Sequence, residues 1–298
     1  MLKHVRRRWA VTIAVAGSLS AGLLATGGCS QGDSPAGRVR HAVRVTGEAA
    51  TLDVAEQLLE RDCMEKQGFR FWVVPKAPAR RSFPYVVDDI AWARKHGYGS
   101  RLRADLEKAG SADPNRTYFG SLPPERRAAL AGALNGPRPT GLRATLPSGI
   151  EVSHSDQGCT AEAERRLYHD LAAWFRATRV TDNLGGARAG MVVQDERYRE
   201  AAARWKHCMR GKGYAFDTPA QSAEGALDPS RGFTHEQEIR LAVTEAGCAH
   251  SSDLSRVAAS LDREYGARLR ERYSKEVGDL ARLRREALPR ARAVIARG

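Results

Sequence analysis

Two stretches of this chain carry the same cysteine-centred pattern, and no other feature of the sequence constrains the fold as strongly. Cys63, Met64, Gly68, Phe69 and Phe71 recur at identical spacing as Cys208, Met209, Gly213, Tyr214 and Phe216. Each copy reads as the last turn of a helix holding Cys and Met, a glycine stop suited to the left-handed cap position, and an aromatic start to an extended segment. Later in each half a glycine-cysteine pair, Gly158 with Cys159 and Gly247 with Cys248, opens or enters another helix. The economical reading is two related modules. The register of the copies points to Cys63 pairing with Cys159 and Cys208 with Cys248, one of the three connectivities that four cysteines allow.

The fifth cysteine, Cys29, belongs to a different kind of segment. A basic stretch from Lys3 to Arg8 precedes an apolar run of about 17 residues, Trp9 to Ala25, and then come Thr26, Gly27, Gly28 and Cys29. That order is characteristic of a secretory signal peptide, and the run is shorter than the roughly 20 apolar residues a spanning helix needs. Small residues directly before a cysteine resemble the lipobox of bacterial lipoprotein signals. The resemblance implies that residues 1–28 are removed and that Cys29 becomes an acylated first residue anchored in the bilayer. Ordinary secretion with cleavage nearby is the alternative that the same residues allow. Five cysteines would leave an unpaired thiol in an oxidising compartment, whereas acylating Cys29 leaves four to form two disulfides. None is arranged as CxxC, which argues against a redox motif or a zinc knuckle.

Removing residues 1–28 takes away Lys3, Arg6, Arg7 and Arg8 and no acidic residue, so the formal charge falls from +13 to +9. On an exported chain this excess favours anionic lipid head groups or wall polymers as partners, not nucleic acid. Mixed charges along the chain equally describe an Arg-rich soluble surface. Residues 29–47 are polar, without an apolar period, and read as a flexible tether. The first module then spans 48–184 and the second 194–298, with Gly185 and Gly186 marking a flexible break.

Apolar spacing predicts a mainly α fold with small β-elements. Leu52, Ala55, Leu58 and Leu59 mark a helix through Cys63 that stops at Gly68. Alternation from Phe69 to Val74 predicts a short strand, and Leu142 to Val152, interrupted by Pro147, Ser148 and Gly149, predicts a β-hairpin. From Leu254 to Leu283 apolar residues recur every three or four positions, predicting one long C-terminal helix of around 35 residues, on the order of 50 Å, which Pro289 should end or kink.

The segment Trp205, Cys208, Met209, Gly213, Tyr214 resembles the W-x-x-C-M-x-x-x-G-Y pattern of uncharacterised secreted lipoproteins of actinobacteria, which also tend to end in a long Arg- and Leu-rich helix. The first copy has Glu60 where the motif has its Trp. The resemblance implies an envelope location and no known activity, so it transfers no functional residue.

Chemistry-bearing motifs are sparse. His235 with Glu236, and His250 with Asp253, are the close His-carboxylate pairs, and each His stands alone where a zincin needs two one helical turn apart around a Glu. Glu162 and Glu164 would form a paired carboxylate site only if folding buried them together, and local ion pairs with Arg165 and Arg166 explain them as well. There is no G-x-S-x-G elbow, Gly-rich phosphate loop or calcium loop. No metal or cofactor is expected and the catalytic residues, if any, are unknown. Phe69, Phe71, Trp72, Trp92, Tyr98, Tyr118 and Phe119 could line a groove for a glycan or peptide, or form a core near the first disulfide. Arg282, Arg284, Arg285, Arg290, Arg292 and Arg297 could meet anionic lipids, or suit a helix C-terminus. The expectation is a non-catalytic envelope lipoprotein, an accessory or binding component presenting a surface to an envelope protein or wall polymer. A wall-acting hydrolase using carboxylates assembled by folding is the alternative.

Overall fold

The computed structural model describes residues 47–76 and 81–298. The signal segment, Cys29 and all of the tether before Gly47 lie outside the described residues, so the lipidation expectation falls there. In chain order the elements are α1 (Glu48–Lys66), α2 (Ile90–His96), α3 (Ser100–Ser111), α4 (Pro114–Ser121), α5 (Pro124–Asn135), β1 (Gly141–Thr145), β2 (Glu151–Ser155), α6 (Cys159–Tyr168), α7 (Leu171–Gln194), α8 (Glu196–Gly211), α9 (Pro219–Leu227), α10 (His235–Ser251), α11 (Leu254–Arg272) and α12 (Ser274–Arg297). The fold is mainly helical with one two-stranded antiparallel sheet, β1 and β2 pairing with Leu142 opposite His154 and Ala144 opposite Val152.

The duplicated pattern becomes duplicated geometry. In α1 the N–H of Phe69 donates to the carbonyl of Met64 across 3.0 Å, and after α8 the N–H of Tyr214 donates to Met209 across the same 3.0 Å. Both turns need a left-handed glycine, Gly68 at φ 75° and Gly213 at φ 85°, because a Cβ is strained there. Disulfides join Cys63 to Cys159 and Cys208 to Cys248, with Cα separations of 5.5 and 5.7 Å. One bridge ties the end of α1 to the start of α6; the other ties the end of α8 to α10.

Two main cores follow. Leu52, Ala55 and Leu59 of α1 pack with Leu167 of α6, Trp174 and Phe175 of α7, the hairpin, and Leu283 and Ala287 of α12. Trp205 and Met209 of α8 pack with Leu241 of α10, Leu254 and Leu261 of α11, and Val192 of α7. Each fully buried Leu contributes about 1.5–3 kcal/mol relative to exposure.

Several elements differ from the sequence expectation. Gly185 and Gly186 lie inside α7, which runs unbroken from Leu171 to Gln194. Each mid-helix glycine costs roughly 0.5–1 kcal/mol relative to alanine, but both ends of α7 are fixed, one in each core, and that burial outweighs the cost. The long C-terminal helix is two helices meeting at Tyr273, where φ −108° and ψ 30° interrupt the spiral. α11 packs on α7 and α8, while α12 turns onto α1, α6 and α7 and so supplies the first core. Pro289 neither ends α12 nor lies near its end, since the helix continues to Arg297, with Leu288 and Ala291 buried on either side of it. The segment from Phe69 to Lys76 forms no strand and pairs with none among the described residues. Gln57 Oε1 accepts the N–H of Val74 at 2.7 Å, and Asn115 exchanges two hydrogen bonds with the backbone of Trp72, at 2.9 and 2.8 Å. Side chains on helices thus take the bonds a partner strand would have taken.

A buried glutamate cluster and a candidate binding groove

On α1 the residues Asp53, Glu56, Gln57 and Glu60 stand at helical spacing beside the apolar stripe; Glu56 and Glu60 face α6, while Asp53 and Gln57 meet the Val74–Lys76 segment. The Thr160 hydroxyl donates to Glu60 at 2.9 Å, and the Trp174 indole N–H donates to Glu164 at 3.0 Å. Lys76 reaches back over this face to Asp53 at 2.5 Å. Burial first, and then the neighbouring carboxylates Glu164 and Glu60, push the Glu56 carboxyl up to about 8. Burial also raises Glu60 and Glu164, each opposed by its hydrogen bond from Thr160 or Trp174. Three carboxyls therefore converge where the neutral form is favoured.

The second half uses its buried acids to dock the chain segment between residues 81 and 100. Glu245, 1% exposed, accepts the N–H of Val87 at 3.0 Å and the hydroxyl of Tyr98. Glu238, 2% exposed, accepts the N–H groups of Tyr98 and Ser100 at 2.8 and 3.0 Å, with His235 Nδ1 at 3.0 Å. Burial pushes Glu238 up, but the hydrogen bonds from Ser100, His235 and Tyr98 outweigh it and hold the carboxyl below the usual range. Glu245 is raised by burial despite its donors.

That docked segment forms one wall of a cavity of about 510 Å³ whose other walls are the end of α7, α8 and the start of α9. Pro84, Tyr85, Val193, Tyr198, Ala202 and Ala203 make its lining largely apolar. Tyr85 is fixed in place twice: its hydroxyl donates to Asp262 at 2.5 Å, and its carbonyl accepts from the Tyr198 hydroxyl at 3.1 Å. Burial and the Asp262 carboxylate push the Tyr85 hydroxyl up to about 12, so it stays a neutral donor. At the rim stand Arg199, Lys206 and Asp217. Lys206 and Arg210 both lean on Asp217, at 2.6 and 3.4 Å, whereas no carboxylate among the described residues lies within ion-pair range of Arg199.

The structure disperses most candidates drawn from the sequence. His235 contacts Glu238 and not Glu236, which is exposed. His250 Nε2 donates to the Asp88 carbonyl at 2.7 Å, while Asp253 pairs with Arg256 at 2.8 Å. Glu162 is on the surface near Arg166, and Glu164 faces α1, so the two are not a pair. Phe69, Phe71 and Tyr118 pack near the first disulfide, whereas Tyr98 is drawn onto α10, so the aromatic residues form no single groove. Of the C-terminal arginines, Arg290 donates to the Leu167 carbonyl at 2.6 Å and Arg282 pairs with Asp279 and Glu286. Reading only apolar positions on α1 missed Glu56 and Glu60; the recurrence of acids at positions 53, 56 and 60 was the available signal.

Among the described residues no group of three or more His, Cys, Asp or Glu is arranged to hold a metal ion, and no helix is long and apolar enough to cross a membrane. The two disulfides fit an oxidising, extracytoplasmic compartment. No protein-family model, curated protein or solved structure matches the chain.

Proposed function

We propose that the chain is an extracytoplasmic accessory or binding component of the cell envelope, attached to the outer face of a membrane through acyl chains on Cys29. The observation that carries the binding reading is the groove walled by Tyr85, Tyr198 and Val193. It is a concave, mostly apolar site, and Asp217, the carboxylate in its lining, is engaged by Lys206 and Arg210. Such a site favours holding a ligand over acid–base chemistry. The polar composition of residues 29–47 and the net positive charge suit a body standing off an anionic surface.

The hydrolase reading draws on the convergence of Glu56, Glu60 and Glu164. Against it, Glu60 and Glu164 each accept a hydrogen bond from a side chain of α6 or α7, which is the arrangement of a buried polar network tying helices together. One experiment weighs both readings. The full chain and its Cys29→Ser variant are expressed in their own host, fractionated, and incubated with isolated wall material. The native chain is expected in the membrane fraction, the variant outside it, and neither releases soluble fragments. Wall digestion that Glu164→Gln abolishes in a folded protein would replace the binding reading with the enzyme.

A further inference from the structure

The geometry points to a single-chain anionic amphiphile as the ligand of the groove between α7, α8, α9 and the Pro84–Tyr85 segment. This inference rests on the binding reading above and names the ligand class of that same site. The first observation is shape and polarity. The cavity, about 510 Å³, is within the range of small-molecule sites and is lined by Pro84, Tyr85, Val193, Tyr198, Ala202 and Ala203. Val193 is a large apolar side chain left 40% exposed at the groove, whereas Val192 beside it on α7 is fully buried. An acyl chain laid along this wall would cover it.

The second observation is charge. The rim brings Arg199 and Lys206 against one carboxylate, Asp217, and Arg210 also leans on that carboxylate from outside the lining. Asp217 is held below the usual carboxylate range, first by its hydrogen bond from Lys206, so it stays ionised and engaged. Arg199 is left as the uncompensated cation at the mouth. A guanidinium with no carboxylate partner beside an apolar trough is complementary to an anionic head group, which it can meet with paired N–H donors. A cationic amphiphile would meet net repulsion there, and a neutral one would forgo this contact.

The third observation is rigidity. Tyr85 is pinned by Asp262 and Tyr198, and Val87, two residues on, by Glu245. A preformed wall lowers the ordering cost of binding.

The test uses the disulfide-intact chain and isothermal titration with dodecyl phosphate, dodecyl maltoside and dodecyltrimethylammonium, each below its micelle concentration. Dodecyl phosphate is expected to saturate one site and to bind at least tenfold more tightly than the other two. Ala203→Trp, which fills the trough from an exposed position, should abolish binding; Ala220→Trp, across the groove, provides a second block should the first variant fail to fold. Arg199→Ala should weaken dodecyl phosphate about tenfold and leave dodecyl maltoside unchanged. Equal affinity for the three probes, no saturable binding, or binding that survives both tryptophan blocks overturns the assignment. Those failures leave the accessory-component reading standing, whereas wall digestion abolished by Glu164→Gln removes that reading itself.

Discussion

Trp174 donates its indole N–H to Glu164 over 3.0 Å while its ring stacks on Tyr168, with centroids 3.4 Å apart and planes inclined by 9°. One side chain therefore satisfies a half-buried carboxylate and closes the apolar core beneath it. The contact joins α6 to α7 at the level where α1 presents Glu56 and Glu60, so stability in this region depends on the protonation of a shared acidic cluster.

That dependence has a sign. Glu56 is raised to about 8 in the fold, and Glu60 and Glu164 are raised as well. Between about pH 5 and 8 the folded state holds more protons on these groups than the unfolded chain, so stability falls as pH rises through that window. Asp195 and Asp279, held low by Arg197 and by Lys275 respectively, stay ionised there and do not reverse the slope. Thermal melting should therefore show a higher midpoint at pH 5.5 than at pH 8. Glu56→Gln should raise the pH 8 stability by on the order of 1–2 kcal/mol and flatten the profile. A slope unchanged in that variant would remove Glu56 as its source.

The disulfides act through the unfolded chain. The Cys63–Cys159 bridge spans 96 residues and the Cys208–Cys248 bridge 40. Loop-closure entropy then gives roughly 4–5 kcal/mol for each, comparable with the net stability of a domain. Reductant should lower the melting temperature markedly, and Cys63→Ser with Cys159→Ser should cost at least as much as the other pair. An unchanged melting curve on reduction would remove the structural role.

The bridges, the glycine caps and the hairpin were legible because each rests on a local rule: a left-handed turn calls for Gly68 and Gly213, and a cysteine register repeats. What was not legible depends on contacts distant in sequence. The alternation from Phe69 to Val74 predicts a strand that does not form, and only the fold reveals that Gln57 and Asn115 take the backbone bonds a partner strand would have supplied. Gly185 and Gly186 signal a break locally and are overruled by the burial of Trp174 and Val192 at opposite ends of α7. The break at Tyr273 has no proline or glycine beside it, and apolar residues continue across it, so periodicity reads one helix where the packing of α12 on the first core makes two. The groove is harder still. Its walls come from residues 84–85, 193–206 and 217–220, mostly small or apolar side chains that form no motif until the chain brings them together.

The crossing of α5 and α6 gives a glycine-specific prediction. A Cβ on Gly158, at φ 91°, would lie 2.4 Å from the backbone nitrogen of Gly136 and 2.8 Å from the carbonyl oxygen of Leu134. These are backbone atoms that cannot swing aside, and the left-handed conformation is itself strained for other residues. Gly158→Ala should destabilise by about 2–4 kcal/mol in urea unfolding, whereas Gly185→Ala, in open space inside α7, should stabilise by up to about 1 kcal/mol. Equal effects at the two positions would contradict the crossing.

The docking of the segment between residues 81 and 100 hangs on Glu245. Replacing it by alanine leaves the Val87 N–H without its acceptor in a site that is 1% exposed at Glu245, while the Tyr98 hydroxyl keeps Ser222 Oγ as a partner at 2.6 Å. An unpaired buried donor costs about 1–3 kcal/mol, so Glu245→Ala should lose roughly that much. Tyr98→Phe removes one donor, leaves the Val87 bond intact and should lose less. The loss should be local before it is global, because this segment is also held by Glu238 through Tyr98 and Ser100. Hydrogen exchange should accelerate at Val87 in Glu245→Ala while α1 and α6, in the other core, keep their protection. Uniform acceleration across both halves would mean that Glu245 supports the whole fold and not this segment alone. Since Tyr85 is two residues from Val87, the local outcome carries a further consequence: the groove wall loosens with it, and dodecyl phosphate affinity should fall although Glu245 is not among the residues lining the cavity.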